Sequence, residues 1–453
     1  MTSFSNAIIA AGVTGLRNLY LDRAVTPVEA CEAYLSRIHG LDGALGAYVH
    51  VDAGGARAAA HASAERWTRG EALGPLDGAP MAVKANIAVA GLPWHAGMGV
   101  HRDRIAEADA ACVARLREGG AVILGLLAMH EGAFGAGSDN PWFGRTHNPW
   151  RHGSSAGGSS SGSAAATAAG LCAGALGTDT LGSVRIPSGF CGVYGHKPTQ
   201  GLISTEGVVA MAWTLDHVGV HGRSVDDCAR LLAGACGAEP DLAEEIARPA
   251  DAAALREAPL AVLDLDGIAA VEPAVAEACA AALDRARDAG IAIERIALPD
   301  YDWAEALRLG ALISGAESAI EHKAVLAGGE GVSDALRARI AYGAAQSAAE
   351  LAEAYRTLAR MANAAKEALT PYAALLLPTT PAPATPFEDG QSGGVAVFTT
   401  LANVLGLPAT AFPAGIAGDL PLSVQVLAWD DETSLGLAKL LGVDLGAPPA
   451  FRG

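Results

Sequence analysis

Two serine clusters set among glycines, within residues 156–187, constrain this chain most. The stretch reads AGGSSSGSAAATAAGLCAGALGTDTLGSVRIP, with an alanine-rich segment of helical length between the clusters. Glycine tolerates backbone angles that a Cβ forbids, so residues 157–159 and 181–183 are predicted to form sharp, exposed turns. A polar Gly/Ser linker does not fit, because Leu171 and Ile186 are apolar. We therefore expect the stretch to bring two hydroxyl groups together.

The composition limits the partners of the chain. It has 453 residues, of which 51% are hydrophobic, and Lys and Arg number 31 against 49 Asp and Glu, which gives a formal charge of −18. The length and the apolar content are enough for a sizeable core. The acidic field repels phosphates and anionic lipid surfaces. We therefore predict neither a nucleic acid nor a membrane as a partner.

The cysteines and the N-terminal segment indicate the compartment. The seven cysteines are odd in number, lack CxxC spacing and lie mostly in apolar stretches, which is typical of small buried side chains in a reducing environment. No basic region precedes the first short apolar run, so no signal peptide is predicted. Residues 153–178 carry no charge, but Gly, Ser and Ala dominate them, whereas a spanning helix needs about twenty large apolar residues. We expect a cytoplasmic chain.

Strand-like and helix-like segments alternate along the chain, which is typical of an α/β sheet. A buried strand at 81–84 ends in Lys84, and a strand at 173–178 leads into the second serine turn. The remaining predicted segments are helices near 109–118, 162–169, 273–289, 303–327 and 333–369, and strands at 121–124, 260–265, 291–298, 372–377 and within 405–427. One large mixed sheet is the expected architecture.

The residues favour serine chemistry without an obvious histidine. The twelve histidines show no metal-binding spacing, and the serines at 159–163 do not fit the Gly-x-Ser-x-Gly frame of a Ser-His-Asp hydrolase. A lysine serves as a base when it is neutral, and burial lowers its pKa because desolvation disfavours the ammonium. Lys84 lies in such an apolar strand. From spacing alone, however, a structural ion pair is the commoner explanation for Lys84.

Several motifs together resemble the amidase signature family over most of the chain, apart from the middle region at about 237–370. The motifs are PMAVK at 80–84, GGSSSGSAAA at 157–166, GTDTLGSVRIP at 177–187, CGVYGHKPT at 191–199, LDHVG at 215–219, PTTP at 378–381 and GLPA at 406–409. The resemblance implies a single α/β/α domain over 1–453 around a large twisted mixed sheet. Its signature core would span about 75–230, followed by a helix-rich variable subregion at about 237–370 and C-terminal strands at about 371–430.

The resemblance also implies a catalytic triad of Lys84, Ser159 and Ser183. Ser183 would be the nucleophile, Ser159 would follow a cis peptide bond from Gly158 and relay the proton, and Lys84 would be the terminal base. No metal or cofactor is implied.

The resemblance places an oxyanion hole at the second serine turn. The backbone N–H groups implied as its donors belong to Thr180, Leu181, Gly182 and Ser183. Asp179 and Arg185 are expected behind this turn, where one would steady the turn and the other the adjacent strand. A purely local ion pair explains these two residues equally well.

The sequence departs from the usual family pattern at three positions. Leu181 and Ser161 stand where the family usually has glycine, and Ala85 stands where many members have Asp. Leu181 would place an isobutyl group beside the acyl pocket and so reshape substrate choice. Core packing is the commoner role for an aromatic residue or Met, but four such residues in loops are candidates for the pocket wall: Met129, Phe134, Trp142 and Trp213.

The expected function is that of a metal-free serine hydrolase that cleaves acyl C–N bonds of small amides, anilides or carbamates, the last being urethane hydrolysis. The chain would act as a monomer or homodimer on a small-molecule substrate. Two alternatives stay open. One is the amidase-like subunit of a tRNA-dependent amidotransferase, which the acidic charge disfavours. The other is a non-catalytic scaffold with the same fold, which three intact triad positions disfavour.

Overall fold

The computed structural model describes residues 3–236, 245, 248–251, 253–323, 330–390 and 394–446. Within these ranges the chain forms fourteen α-helices and thirteen β-strands. The helices are α1 Ser3–Ala10, α2 Gly12–Leu21, α3 Pro27–Leu45, α4 Ala53–Arg69, α5 Ala111–Glu118, α6 Ser161–Ala168, α7 Arg185–Cys191, α8 Val225–Cys236, α9 Pro273–Asp288, α10 Trp303–Glu321, α11 Asp334–Ala344, α12 Ala348–Leu369, α13 Thr400–Leu405 and α14 Asp431–Leu441. The strands are β1 Tyr48–Val51, β2 Pro80–Lys84, β3 Val122–Leu127, β4 Asp139–Asn140, β5 Gly144–Arg145, β6 Gly174–Asp179, β7 Tyr194–Lys197, β8 His217–Gly222, β9 Leu260–Leu263, β10 Ile293–Ile296, β11 Ala374–Pro378, β12 Ala409–Ala417 and β13 Leu420–Ala428.

Eleven strands form one mixed sheet in the order β1-β3-β2-β6-β8-β7-β12-β13-β11-β9-β10. Strand β2 lies parallel to both β3 and β6, and β9 lies parallel to both β10 and β11. The other neighbours in the sheet pair antiparallel. Strands β4 and β5 form a separate two-stranded ribbon. The structure thus confirms the α/β class and the large mixed sheet expected from sequence.

The two faces of the sheet bury separate hydrophobic cores. In β11, Leu375 and Leu377 belong to one core and Leu376 to the other, as the two-residue period of a strand requires. The larger core also contains apolar residues of α3, α8, α9 and α14. The smaller core contains those of α10, α12 and α13. Helices therefore cover both faces, and the resulting layers are α/β/α.

The helical region between 303 and 369 differs in detail from the sequence expectation. The helix predicted at 303–327 ends at Glu321, and residues 324–327 lie outside the described residues. The helix predicted at 333–369 is two helices, because Ser347 starts α12 with a capping box. Its hydroxyl accepts from the Glu350 N–H at 3.2 Å, while the Glu350 carboxylate accepts from the Ser347 N–H at 2.8 Å. Propensity alone favours one continuous helix, and the reciprocal cap is what divides it.

Parallel pairing of β2 and β6 determines where the polar residues of the signature meet. Ala82 pairs with Ala175 and Val83 with Leu176, so Lys84 lies next to the last residues of β6. Because the carboxyl ends of parallel strands share one edge, this edge also receives the turn that follows Asp179. Helix α6 packs against β2, β3 and β6, and it brings the first serine cluster to the same place. Among the described residues, no helix is both long and apolar enough to cross a bilayer.

Candidate active site

Lys84 is fully buried at the end of β2 and contacts two hydroxyl groups. Its Nζ lies 2.8 Å from Ser159 Oγ and 2.7 Å from Thr178 Oγ1. Thr178 Oγ1 also accepts a hydrogen bond from the Asn86 side-chain amide at 3.1 Å. The lysine head group is therefore held between neutral groups instead of being paired with a carboxylate.

This environment changes the acidity of Lys84. Burial lowers its pKa to about 7, because desolvation penalises the ammonium form. The negative charges of Asp216 and Asp179 act in the opposite direction. A substantial fraction of Lys84 is therefore the free amine near neutral pH, which is the form that accepts a proton.

The first serine cluster is held by close backbone approaches. The peptide bond between Gly158 and Ser159 is cis, and Gly157 adopts a φ of +78°. A Cβ on Gly158 would collide with the carbonyl oxygen of Gly137, so this position has no room for a side chain. Ser159, which follows, is fully buried with its hydroxyl on Lys84.

A backbone hydrogen bond joins the two serine clusters. The Ser160 N–H donates to the Ser183 carbonyl at 3.3 Å. The Ser160 hydroxyl donates to the Thr178 carbonyl at 3.1 Å, which ties the same residue to the end of β6. The segments that carry Ser159 and Ser183 therefore lie side by side, as the sequence predicted for the two turns.

The Asp179 carboxylate organises the second serine turn. Its oxygens accept from the backbone N–H of Gly182 at 2.8 Å and of Val184 at 3.1 Å. The Gly182 N–H, which the resemblance implied as an oxyanion donor, is thus already engaged by a charged acceptor. Among the described residues, no protein group accepts a hydrogen bond from the N–H of Leu181 or Ser183. These two amides are available to a ligand, and Gly182 is removed from the donor set.

Arg185 forms a fully buried ion pair with Asp179. Its Nε and Nη2 lie 3.1 and 3.0 Å from the carboxylate oxygens, and it also donates to Gln425 Oε1 at 2.9 Å and Asn403 Oδ1 at 2.7 Å. Burial alone would raise the pKa of Asp179, but the Arg185 guanidinium outweighs it and holds that pKa well below its usual range. The pair therefore stays ionised, and it connects the turn to β13 and α13.

A cavity of about 460 Å³ opens above the second serine turn. Ser183 is partly exposed and lies in its wall, whereas Ser159 behind it is fully buried. Most of the wall is apolar, and the lining residues are Ala133, Phe134, Gly135, Ala136, Thr180, Leu181, Ser183, Ile186, Met211, Leu307, Ala311, Ala338, Arg339, Tyr342 and Ala396. A cavity of this size and character suits a small ligand with an apolar body.

The four residues suggested for the pocket wall occupy different environments. Phe134 lines the cavity. Met129 is buried in the larger core, the Trp142 indole donates to the Glu131 carboxylate at 2.7 Å, and Trp213 is 51% exposed; none of these three is among the lining residues. The structure instead brings Met211, from the loop before β8, and side chains of α10 and α11 into the wall. Residues 307–342 were not expected there, because they lie outside the resemblance.

Other polar residues of the site were not singled out from sequence. Asp216 accepts from the Thr180 hydroxyl at 2.6 Å, and burial raises its pKa to about 6 against the hydrogen bonds it receives. Thr178 and Asp216 lie inside the quoted motifs, so their positions carried a signal, whereas Asn403 lies in an unremarkable alanine-rich helix. Within the described ranges, no three His, Cys, Asp or Glu side chains lie close enough to hold a metal ion.

Comparison with protein families gives one match over most of the chain. A family model described as Amidase matches residues 29–435. Among curated proteins, the A-type subunit of the glutamyl-tRNA(Gln) amidotransferase of Anaeromyxobacter sp. (strain K) is 36% identical over 482 aligned positions, covering 94% of this chain and 95% of the relative.

Solved structures give the same result. The chain matches a crystal structure of an amidase with a TM-score of 0.85 and 30% identity, over 94% of this chain and 98% of that one. It matches the native peptide amidase from Stenotrophomonas maltophilia with a TM-score of 0.82 and 27% identity, over 98% and 99% of the two chains. The fold therefore agrees with these enzymes from end to end.

Substitution of Arg185 tests whether the buried ion pair supports the turn. Arg185→Met would leave the Asp179 carboxylate buried without its counter-charge, so the free energy of unfolding should fall by about 3–5 kcal/mol. Urea denaturation followed by circular dichroism measures the loss. The matched control is Arg151→Met, which removes an exposed partner of Asp419 and should cost far less. Equal losses in the two variants would contradict a special role for the buried pair.

Proposed function

The chain belongs to the amidase family, and on this premise we propose that it is a serine hydrolase that cleaves acyl C–N bonds through Ser183, Ser159 and Lys84. The observation that carries the proposal is the buried contact of 2.8 Å between Lys84 Nζ and Ser159 Oγ, directly behind the cavity that Ser183 lines. A nucleophile, a relay and a base in this order satisfy the geometric requirements of nucleophilic catalysis.

In the acylation step, the neutral Lys84 amine takes the proton of the Ser159 hydroxyl, and Ser159 takes the proton of Ser183. Ser183 Oγ forms a bond to the acyl carbon, and the carbonyl π pair moves to oxygen. When the resulting tetrahedral intermediate collapses, the C–N bond breaks. The departing nitrogen takes a proton from Ser159, which recovers one from the Lys84 ammonium. The products are the acyl-enzyme on Ser183 and the free amine.

The oxyanion of the intermediate is stabilised by backbone N–H groups of the second serine turn. Leu181 and Ser183 supply amides without a protein acceptor, and Thr180 is retained from the expected set. One such donor contributes about 3–4 kcal/mol to transition-state stabilisation. The Asp179 carboxylate holds the Gly182 and Val184 amides, and it thereby fixes the direction of the neighbouring donors.

In the deacylation step, water attacks the acyl carbon and its proton passes through Ser159 to Lys84. Collapse of the second intermediate breaks the bond to Ser183 Oγ, which takes a proton back along the relay. The net reaction consumes one amide and one water and yields one acid and one amine, with Lys84 neutral again. The relay needs no metal or cofactor.

The substrate class follows from the cavity and the chemistry. The cavity wall is largely apolar, which favours small amides, anilides or carbamates with an apolar group beside the carbonyl or on the nitrogen. A carbamate presents the same carbonyl and nitrogen leaving group as an amide, so urethane hydrolysis belongs to the proposal. The partner is this small molecule, and the chain acts as a monomer or homodimer.

A second candidate is the amidase-type subunit of a glutamyl-tRNA(Gln) amidotransferase. The identity of 36% to such a subunit over nearly the whole chain favours it. The formal charge of −18 and the bulky Leu181 in the oxyanion turn favour the independent hydrolase.

The triad is tested by substitution. Ser183→Ala and Lys84→Ala should each lower kcat for a p-nitroanilide by at least about 10³-fold while leaving the fold intact, because members of one catalytic unit fail together. The matched control is Ser161→Ala, which removes a buried neighbouring hydroxyl that contacts the Ala128 carbonyl, and should keep most activity. A fluorophosphonate should label Ser183 in mass spectrometry. Activity retained in either triad variant would rule out the mechanism.

The pH dependence is tested through Lys84. Because the free amine is the active form, kcat/KM should rise with pH and level off above a midpoint of about 7. The Asp216 carboxylate stabilises the ammonium, so Asp216→Asn should move this midpoint to lower pH. Stopped assays with one p-nitroanilide across pH 5–9 measure both. An unchanged or raised midpoint in Asp216→Asn would show that another group is titrating.

Purification of the single chain separates the two candidate functions. As an independent hydrolase it should turn over p-nitroanilides or aryl carbamates with no glutamine, no tRNA and no other protein added. As one component of an amidotransferase it would stay inactive on these substrates until its partner proteins are supplied. Multiple turnovers by the chain alone, monitored at 405 nm (roughly the nitroaniline absorbance), decide for the hydrolase.

A further inference from the structure

We propose that the side chain of Leu181 and the bare backbone of Gly310 together set the depth of the cavity, and hence the length of the apolar group that the enzyme accepts. The inference rests on the proposed function, and it assigns substrate length to a contact between the oxyanion turn and helix α10. We refer to this pair as the Leu181–Gly310 contact.

Gly310 provides a hollow in α10 that Leu181 fills. A Cβ built on Gly310 would lie 2.9 Å from Leu181 Cδ2 and 3.4 Å from Leu181 Cδ1. The first distance is shorter than carbon atoms tolerate, so no larger residue fits at 310 while Leu181 keeps its position. Leu307 and Ala311, on the same face of the helix, line the cavity. The contact therefore forms part of the cavity wall.

The backbone of Leu181 cannot move away from α10 without breaking the turn. Its carbonyl accepts from the Thr399 hydroxyl at 2.6 Å, and the next residue, Gly182, donates to Asp179 at 2.8 Å. Gly182 has a φ of +134°, which few other residues adopt. A steric change at Gly310 must therefore be absorbed by the Leu181 side chain.

The free volume beside Leu181 lies on the cavity side. Its other side packs against the smaller core, which contains Leu309 and Phe398. Close-packed interiors resist small displacements, so an isobutyl group displaced from the Gly310 hollow moves into the cavity. A methyl group at 310 thus shortens the cavity, and removal of the isobutyl group at 181 lengthens it.

The substrates that report on this contact carry an unbranched apolar chain. Each methylene that finds apolar wall should raise kcat/KM by about three- to four-fold, and the gain should stop where the cavity ends. We assume no direction for the chain, so one series of p-nitroanilides varies the acyl chain from acetyl to decanoyl. A second series keeps the acetyl group and varies a 4-alkyl chain on the anilide ring.

The expected results concern the chain length at which kcat/KM stops rising in at least one series. Leu181→Ala should move that length upward by about three carbon atoms, the size difference between the two side chains. Gly310→Ala should move it downward. The double variant should behave like Leu181→Ala alone, because the methyl group at 310 then meets no isobutyl group. Leu181→Ala keeps the backbone N–H, so length preference, not absolute rate, is the readout.

The control is Gly43→Ala, an equivalent change in α3 where a Cβ meets nothing within 4 Å, and its length profile should match the unmodified chain. An unchanged cutoff in both single variants, or independent effects in the double variant, would overturn the inference. A readout without turnover separates it from the proposed function. Binding of n-alkyl carboxamides to Ser183→Ala protein, measured by calorimetry, should show the same shifts at 181 and 310. If hydrolysis is absent but these shifts occur, the proposed function fails and the contact stands; if binding is independent of both residues, the contact fails.

Discussion

The buried ion pair between Asp179 and Arg185 is the interaction on which the rest of the site depends. Its carboxylate holds two amides of the turn, and its guanidinium reaches Gln425 in β13 and Asn403 in α13. A turn between β6 and α7 is thereby fixed to segments more than 200 residues away. A buried pair of this kind adds little net stability, but removal of one partner is costly, so its contribution is the definition of one geometry.

The same buried environment has opposite effects on the two charged groups of the site. Asp179 keeps its charge because a guanidinium and several amides compensate for desolvation. Lys84 contacts only the neutral hydroxyls of Ser159 and Thr178, so desolvation lowers its pKa to about 7. Pairing with a carboxylate, the commoner role of a buried lysine, would have fixed the ammonium form. Acceptance of a proton thus depends on which partners the fold withholds.

The parts of the site that sequence could predict are those encoded within short segments. Lys84 at a strand end and the serine clusters were identifiable because residue type and spacing mark them, and the alternation of elements indicated the mixed sheet. Arg185 was expected to steady a strand, but its partner Gln425 carries no local signal. Similarly, the Gly182 amide could not be excluded as an oxyanion donor until the side chain of Asp179 had a position. Contacts between distant segments decide such questions, and a single sequence does not specify them.

Leu181 illustrates how one residue serves two constraints at once. Its backbone belongs to the turn that presents amides to the reacting carbonyl, and its side chain enters the hollow at Gly310. Glycine inside a helix costs about 1 kcal/mol relative to alanine, so Gly310 in the middle of α10 calls for a compensating reason. With glycine at 181, as is usual in the family, that reason would disappear. The unusual leucine and the helical glycine therefore explain each other, and through them the wall of the cavity is tied to the geometry of the oxyanion turn.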